Sequence, residues 1–391
     1  MRIPTLSGSL LLLAFAPALH AQYFEARNSA MGGAGIASSH YLIAGTANPA
    51  LLTRHGETDD FGLRLPTVGA QVYDESNLLD DIQDFADEYD RLASAGGTSQ
   101  EYADLAQQLA DLSGRSVYGN AGVGFAFAMP SKSFAWSLHW NTFADLVAFT
   151  LIDPADVTAI ATTPAGTPLP DLNSEGRIVG VSLSELGFSM ATRFEVGEST
   201  GLSVGVTPKY QRVDSYNYSA NIDTFDESDF TDSQYRTDDA SFNVDLGVAL
   251  EPGSGFTFGV MARNLIEEEY DTVTTFGQTF QYTVEPTVGV GASWTHGILT
   301  LASDVDLMPR DRFQIDAVDD DVQFLSLGAE VDLWKWFQLR GGYQSDLQDF
   351  VDDAITGGIG LSPFDVFRID VAGIYVNDDS YGAVAQLSFT F

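Results

Sequence analysis

From Phe61 to the C-terminus, apolar and polar residues alternate with a period of two over most of the chain. Phe134, Trp136, Leu138 and Trp140 share one parity, and Ala135, Ser137, His139 and Asn141 the other. Phe242, Val244, Leu246, Val248 and Leu250 oppose Asn243, Asp245, Gly247 and Ala249 in the same way. Successive side chains leave a strand on opposite sides, so this pattern predicts strands with one apolar face. Fourteen such segments stand out: 61–73, 117–129, 134–150, 177–196, 201–219, 239–251, 255–265, 281–295, 297–307, 322–333, 336–345, 354–361, 366–376 and 381–391.

The connections alternate as well. Pro130 to Ser133, Gly197 to Thr200, Pro252 to Ser254, His296, Trp334–Lys335 and Ser362 to Asp365 are tight. Between them lie long polar connections near 74–116, 151–176, 220–238, 266–280, 308–321 and 346–353, and a shorter one at 377–380. Short turn, long loop and an even strand count describe a transmembrane barrel with turns on the periplasmic side and loops outside. Segments of about ten tilted residues cross the apolar slab, and closure satisfies every backbone group inside lipid. The predicted fold is all-β, a fourteen-stranded antiparallel transmembrane barrel occupying residues 59–391. A soluble sandwich would not need fourteen matched apolar stripes.

One stretch breaks the alternation. Leu78, Ile82, Phe85, Tyr89 and Leu92, then Tyr102, Leu105, Leu109 and Leu112, recur at steps of three and four. Two amphipathic helices joined at Gly96–Gly97 are expected there, packing their stripes on each other. This helical insertion, at about 76–114, belongs over the extracellular mouth. At the N-terminus, Arg2, the apolar run Leu10 to Phe15 and the small residues after it form a secretory signal over residues 1–21. Cleavage fits after Ala16-Pro17-Ala18 or after Leu19-His20-Ala21. The chain is therefore expected to be exported to the outer membrane of a Gram-negative bacterium, among outer-membrane lipids and lipopolysaccharide.

Composition narrows the chemistry. The 391 residues hold 18 Lys and Arg against 55 Asp and Glu, a net charge of −37, which excludes a nucleic-acid binder that tracks phosphates. With 45% hydrophobic and 12% aromatic residues, the chain is nevertheless no disordered acidic polymer. The absence of cysteine excludes disulfides, thiol nucleophiles and cysteine-held metals. Five histidines show no metal spacing, and no nucleophile elbow, phosphate loop or dinucleotide fingerprint stands in the right context, so no catalytic, metal or cofactor site is assigned. Carboxylates crowd the long connections, as in Asp223, Asp226, Glu227 and Asp229, and in Asp319 to Asp321. They solvate the surface, and the sharper reading is divalent-cation bridging to lipopolysaccharide.

With the apolar stripe facing lipid, the opposite parity fills the lumen with His139, Glu185, Arg193, Lys209, Asp245, Arg263, Glu285, Asp304, Asp306, Glu330, Asp332, Arg340, Arg368 and Asp370. Lys209, Asp245 and Arg263 fall side by side, and Glu330 or Asp332 reaches Arg340 across a tight turn.

Before the first strand stand Ala26-Arg27-Asn28-Ser29-Ala30-Met31-Gly32-Gly33-Ala34-Gly35 and Asn48-Pro49-Ala50-Leu51. These elements resemble the plug of the FadL/TodX family of outer-membrane transporters. Within that superfamily the chain is most similar to the branch known as conjugal-transfer TraF-like, a likeness that extends through Leu63 to Val72 and Thr207-Pro208-Lys209-Tyr210-Gln211. The resemblance implies that residues 22–58 plug the barrel, with Gly32, Gly33, Gly35, Asn48, Pro49 and Ala50 as plug and gate. It implies passive transport of small hydrophobic compounds, either long-chain fatty acids or hydrocarbons. The branch name implies the alternative, a structural or surface-interaction barrel tied to conjugal transfer. The last strand ends on Phe391, with Phe389 and Leu387 on the same face, resembling the aromatic-ending signal read by the barrel-assembly machinery.

Overall fold

In the computed structural model of the protein, residues 23–56, 59–74, 77–225, 227–310, 313, 321–334, 336–363 and 366–391 are described. The expected signal at 1–21, Asp226, Asp319 and Asp320, and the turn residues Lys335 and Asp365 lie outside them.

The tall side of the wall contains β1 (Gly62–Tyr73), β2 (Ser116–Met129), β3 (Ala135–Leu151), β4 (Glu175–Glu195), β5 (Gly201–Asn221) and β6 (Arg236–Gly253). Next come β7 (Phe256–Arg263), β8 (Glu268–Asp271), β9 (Gln281–Val284), β10 (Thr287–His296) and β11 (Leu299–Asp306). The chain ends through β12 (Phe324–Leu333), β13 (Phe337–Asp346), β14 (Ala354–Leu361), β15 (Phe367–Asn377) and β16 (Ser380–Thr390). All but β8 and β9 form one closed barrel of fourteen strands, as the alternation predicts. The seam is β1 against β16, antiparallel from Gly62 opposite Thr390 to Tyr73 opposite Ser380. Pro66 lacks an N–H, and the register of β1 slips beside it, between Arg64 and Thr67, against both neighbours.

The apolar parity faces outward. Leu138, Trp140, Leu186, Phe188, Leu246 and Val248 are exposed, whereas His139, Glu185 and Asp245 on the other parity are buried. On β5 the outer face is apolar through Val204 to Tyr210 and then turns to Arg212 and Asp214, which bond to each other at 3.2 Å. That change marks the upper edge of an apolar band of the ~25 Å height a membrane barrel presents. Near the tight turns the band ends in rings: Phe61 stacks on Phe391 at 4.8 Å, Phe127 meets Trp136 at 5.4 Å and Trp334 meets Trp336 at 5.9 Å. The tryptophans among them have the amphipathic rings that settle at a membrane–water boundary.

The expected strand at 281–295 is two elements. At Glu285–Pro286 the chain leaves the wall, and the preceding residues pair with β8 in a separate two-stranded sheet, Glu268 opposite Val284. Glu285 is therefore not a wall residue; Pro286, having no N–H to give a ladder, stands at the break. The connection at 151–176 also holds a helix, α5 below, that the alternation does not predict. Asp153 accepts from the Ala155 N–H at 2.8 Å and Pro154 takes the first helical position, a strong start signal for so short an element.

In chain order the helices are α1 (Ala26–Ser29), α2 (Tyr41–Ala47), α3 (Leu78–Ala95), α4 (Ser99–Asp111) and α5 (Pro154–Thr162). The hairpin of α3 and α4 turns at Gly96, whose φ is +71°. Its stripes bury Leu78, Phe85, Leu92, Tyr102, Leu105 and Leu109, but in a cluster that also takes in Ile160 of α5, Leu172 and Ile222. The stripes thus pack onto the neighbouring loops as well as on each other. At the start of α4, Thr98 Oγ1 accepts from the Glu101 N–H at 3.2 Å while Glu101 Oε2 accepts from the Thr98 N–H at 2.8 Å.

Two outcomes follow from these contacts. The Thr98 N–H first, then Arg91 and the Thr98 hydroxyl, pull the Glu101 carboxyl down to about 2 from an ordinary 4.5. Its support for the hairpin is complete above pH 4.5 and is lost as the pH falls towards 2. Thr98→Ala should cost about 1 kcal/mol of helix stability above pH 4.5 and less as the pH falls towards 2, where the bond from the Thr98 hydroxyl to the Glu101 carboxylate is lost. Amide exchange of residues 99–102 reads both effects, and unchanged protection in the variant would dismiss the cap. Separately, deleting Phe391 removes the ring stacked on Phe61 at the seam. Assembly in cells should slow, seen as a lag in the heat-modifiable band; an unaltered rate would exclude that contact from assembly.

Candidate functional site

The lumen is filled in its lower storey by residues 23–54, which fold into α1, α2 and a 3-10 turn over Pro49–Thr53. After α1 the chain reverses through Gly32 and Gly33, at φ +66° and +91°, with the Gly33 N–H bonded to the Asn28 carbonyl at 2.8 Å. A side chain is excluded at Gly32 on space as well: its Cβ would stand 2.7 Å from the Leu327 carbonyl oxygen on the wall. Gly35 and Ile36 direct their N–H groups at one oxygen of Asp304, at 2.6 and 2.7 Å. Asn48 is extended, as a residue before proline prefers, with φ −163° and ψ 107°. Its Oδ1 accepts from the Ala50 N–H at 3.1 Å, and its Nδ2 donates to the carbonyls of Ile36 at 2.9 Å and Val248 at 3.1 Å. One side chain therefore ties the corner to the middle of the segment and to β6.

The wall meets this segment with a belt of glycines. A Cβ at Gly122 of β2 would lie 2.8 Å from Phe24, at Gly205 of β5 2.6 Å from the Ala50 nitrogen, and at Gly247 of β6 2.8 Å from Pro49. At Gly328 of β12 it would lie 2.6 Å from the Met31 carbonyl oxygen, and at Gly358 of β14 2.6 Å from Ala30. Backbone meets backbone at Gly205 and Gly328, and at Gly122, Gly247 and Gly358 side chains of the segment fill the space a Cβ would take, a fit that only glycine permits.

Charged side chains pin the arrangement. Arg27 of α1 donates from Nε and Nη2 to the two Glu330 oxygens, both at 3.0 Å, and from Nη1 to the Ser38 carbonyl at 2.8 Å. Glu330 also accepts from Arg340 at 2.6 Å, and Arg340 reaches Asp370 at 2.6 Å. On the far side Arg64 of β1 pairs with Glu25, deep in the lumen, and reaches Asn141 at 2.6 Å. The ion pair of Lys209 lies within the wall: Nζ stands 3.1 Å from Glu185 and 3.0 Å from Asp245.

Of the sequence-derived network, the structure joins Lys209 to Asp245, and Arg340 to both Glu330 and Asp370. Arg263 goes elsewhere, donating to the Ala47 carbonyl at 3.4 Å. Asp332 takes a hydrogen bond from Gln338 at 3.1 Å rather than from Arg340. His139 is buried under Gly45 of α2, where a Cβ would come within 2.7 Å of Nδ1. Arg368 lines a cavity of about 60 Å3 with Arg27, His40 and Asp370. There burial first, then the charges of Arg368 and Arg27, push the His40 imidazole down to about 3, so it is neutral; its Nδ1 accepts from the Leu42 N–H at 3.3 Å. Arg193 lies at the turn side, 3.0 Å from Glu195, and Asp306 accepts from the Phe324 N–H at 3.3 Å. Leu387 and Phe389 share the outer face of β16 with Phe391, and Phe389 packs on Phe367 at 5.4 Å. Sequence reading missed Arg27, Glu25 and Arg64. Arg64 had a signal, since it lies at the inward parity between Leu63 and Leu65.

The upper storey is chemically different. At inward parity β3 carries Phe143, Val147 and Phe149, β4 carries Val179, Val181 and Leu183, and β5 carries Val213, all in one buried apolar cluster. The hairpin of β8 and β9 folds into the mouth and adds Tyr270, Tyr282 and Val284. It is held by polar groups of β5 and β6: Ser215 donates to the Asp271 carbonyl at 3.1 Å, Asn217 to the Val273 carbonyl at 2.9 Å, and Ser241 bonds the Tyr270 hydroxyl at 2.7 Å. Asn264, at φ +50°, turns the chain out of β7 to reach this position.

Solved structures share this architecture at low identity. The Ralstonia pickettii toluene transporter TbuX matches with a TM-score of 0.57 at 12% identity, covering 96% of this chain and 100% of that one. The Pseudomonas putida toluene transporter TodX gives 0.55 at 11%, over 97% and 100% of the two chains. A Pseudomonas aeruginosa FadL homologue gives 0.53 at 11%, over 96% and 98%. No curated protein sequence matches the chain. The profile of the family described as F plasmid transfer operon, TraF, protein matches residues 45–306, two-thirds of the length, and the chain belongs to that family while sharing the FadL/TodX barrel fold.

Proposed function

We propose that the protein is an outer-membrane channel for small hydrophobic compounds, delivered there by its N-terminal secretory signal, with residues 22–58 as the plug. The observation that carries this reading is the apolar upper storey. The lumen of a membrane barrel is ordinarily polar. A layer of Phe143, Val147, Val181, Leu183 and Tyr282 facing inward, just above a polar plug, gives an apolar solute a place to leave water. The toluene transporters that share the fold agree with this reading. Hydrocarbons and fatty acids both suit such a layer.

The close contacts of the glycine belt and the pairs Arg27–Glu330 and Arg64–Glu25 hold the plug across the axis. A sideways exit would use the place where regular pairing of β6 with β7 ends, at Leu246–Ala262; above it β6 meets the chain after β7 through the Leu265 N–H on the Val244 carbonyl at 3.1 Å and through Asn243, which donates to the Ile266 carbonyl at 2.8 Å. A second reading, a structural barrel serving conjugal transfer, draws support from the family and from the close fit of the plug.

Two sets of variants separate these readings. Val181→Asp places a carboxylate in the apolar layer; toluene uptake into proteoliposomes should fall at least tenfold while the heat-modifiable barrel persists. Wild-type protein with no uptake above empty liposomes, joined to a loss of mating frequency in a deletion strain, would establish the structural role instead. Gly33→Val, at φ +91°, and Pro49→Gly loosen the plug, and planar-bilayer conductance should rise several-fold. Loss of the folded barrel in both would make the segment a structural core with no gating part.

A further inference from the structure

At the tight-turn end of the lumen, the cavity of about 60 Å3 lies between the plug and the last hairpin of the wall. Arg27, His40 and Ile43 line it from the plug, and Arg368, Asp370 and Ser388 line it from β15 and β16. Its charges can be counted. Arg27, Glu330, Arg340 and Asp370 form a chain of ion pairs at 3.0, 2.6 and 2.6 Å, in which two positive charges meet two negative ones. Burial first, then Arg368 and Arg27, keep His40 neutral, so the imidazole adds no charge. Arg368 is left over. Half-buried on the same lining, its side chain forms no hydrogen bond or ion pair among the described residues. Phe391, one residue beyond Thr390 of the lining, turns its oxygen to the seam, where it accepts from the Phe61 N–H at 3.1 Å. The described side chains that line the cavity, with those paired to them, thus carry one net positive charge.

A guanidinium is a planar fork whose parallel N–H groups match the two oxygens of a carboxylate. One positive charge in excess selects a monoanion, because a dianion such as sulfate would set a second negative charge beside Asp370 and Glu330. Space narrows the choice further. One water needs about 10–15 Å3 of such a cavity, so this one admits about four to six non-hydrogen atoms. Acetate and propionate fall within that size. Leu42, Ile43 and Phe367 give their alkyl ends an apolar wall.

We infer that this cavity binds a small carboxylate monoanion of two or three carbons, with the carboxylate on Arg368 and the alkyl end against Ile43 and Phe367. Such a ligand touches the plug and the last hairpin at once, so it pins the plug in its seat and is not cargo. A ligand that binds only the seated plug stabilises that state by mass action. The inference is independent of the hydrophobic-uptake reading.

The test uses the full chain in nanodiscs at neutral pH. Acetate and acetamide are ranked by saturation-transfer NMR, and sulfate is scored by how well it displaces acetate. Acetate should bind about tenfold more tightly than acetamide, which has the same shape without the charge, and an equal concentration of sulfate should leave most of it bound. Arg368→Gln should erase the preference for acetate. Hydrogen exchange on the unaltered protein locates the site with no variant at all: acetate should slow the amides of α2 about threefold and leave those of α4, at the opposite end of the barrel, unchanged. Equal binding of acetate and acetamide overturns the proposal, as does ready displacement by sulfate or a preference that survives in Arg368→Gln. Should that variant fail to assemble, unchanged exchange of α2 in acetate overturns it by itself.

Discussion

The ladder between β1 and β16 is the contact on which the remaining architecture depends. Inside hydrocarbon each unpaired N–H or carbonyl costs several kcal/mol, so a sheet with two free edges has no stable place there. Once Gly62 to Tyr73 pair with Thr390 to Ser380, the edges vanish and each strand is left with one face in lipid and one in the lumen. The polar parity then has only the interior in which to be satisfied. Asp304 meets the backbone of Gly35 and Ile36, Glu330 meets Arg27, and Arg64 meets Glu25. The N-terminal segment is thus the hydrogen-bonding complement that the closed wall requires, as well as an obstruction.

The interior is divided by height. Around the segment the wall offers glycines, small alanines, hydroxyls and ion pairs; above, the interior is aliphatic and aromatic. The division follows the length of the strands, since β3, β4 and β5 run for 17 to 21 residues whereas β7 and β11 run for 8. The tall side carries the inward positions Phe143, Val147, Val179, Val181 and Val213 of the apolar storey, and opposite it Phe324 of β12, Val322 and Val351 join the same cluster. The short side is completed there by β8 and β9 folding inward.

The barrel was legible because a period of two is a local property, repeated in every strand. The places that escaped are non-local. Nothing in the alternation around Tyr282 and Val284 says that they pair with β8, because both the hairpin and the wall offer an apolar face to the same cluster. α5 buries only Ile160 and Asp156, too narrow a stripe to announce a helix within a polar connection. Lys209 and Asp245 sit on neighbouring strands and were found by counting, as were Glu330 and Arg340 across their turn. Arg27 with Glu330 spans 303 residues of sequence, and no spacing rule reaches that far.

The glycine belt also fixes an order of events. Residues 23–54 precede β1 in the chain, yet they end enclosed by a ring that only β16 completes. A segment seated this closely on β2, β5, β6, β12 and β14 cannot be threaded in afterwards through an interior already full. The segment has to be in place before the last ladder zips, and withdrawing it means unzipping that ladder again. Its retention is then governed by the rate at which the barrel reopens rather than by the strength of any single contact, and the folded molecule persists by kinetic entrapment.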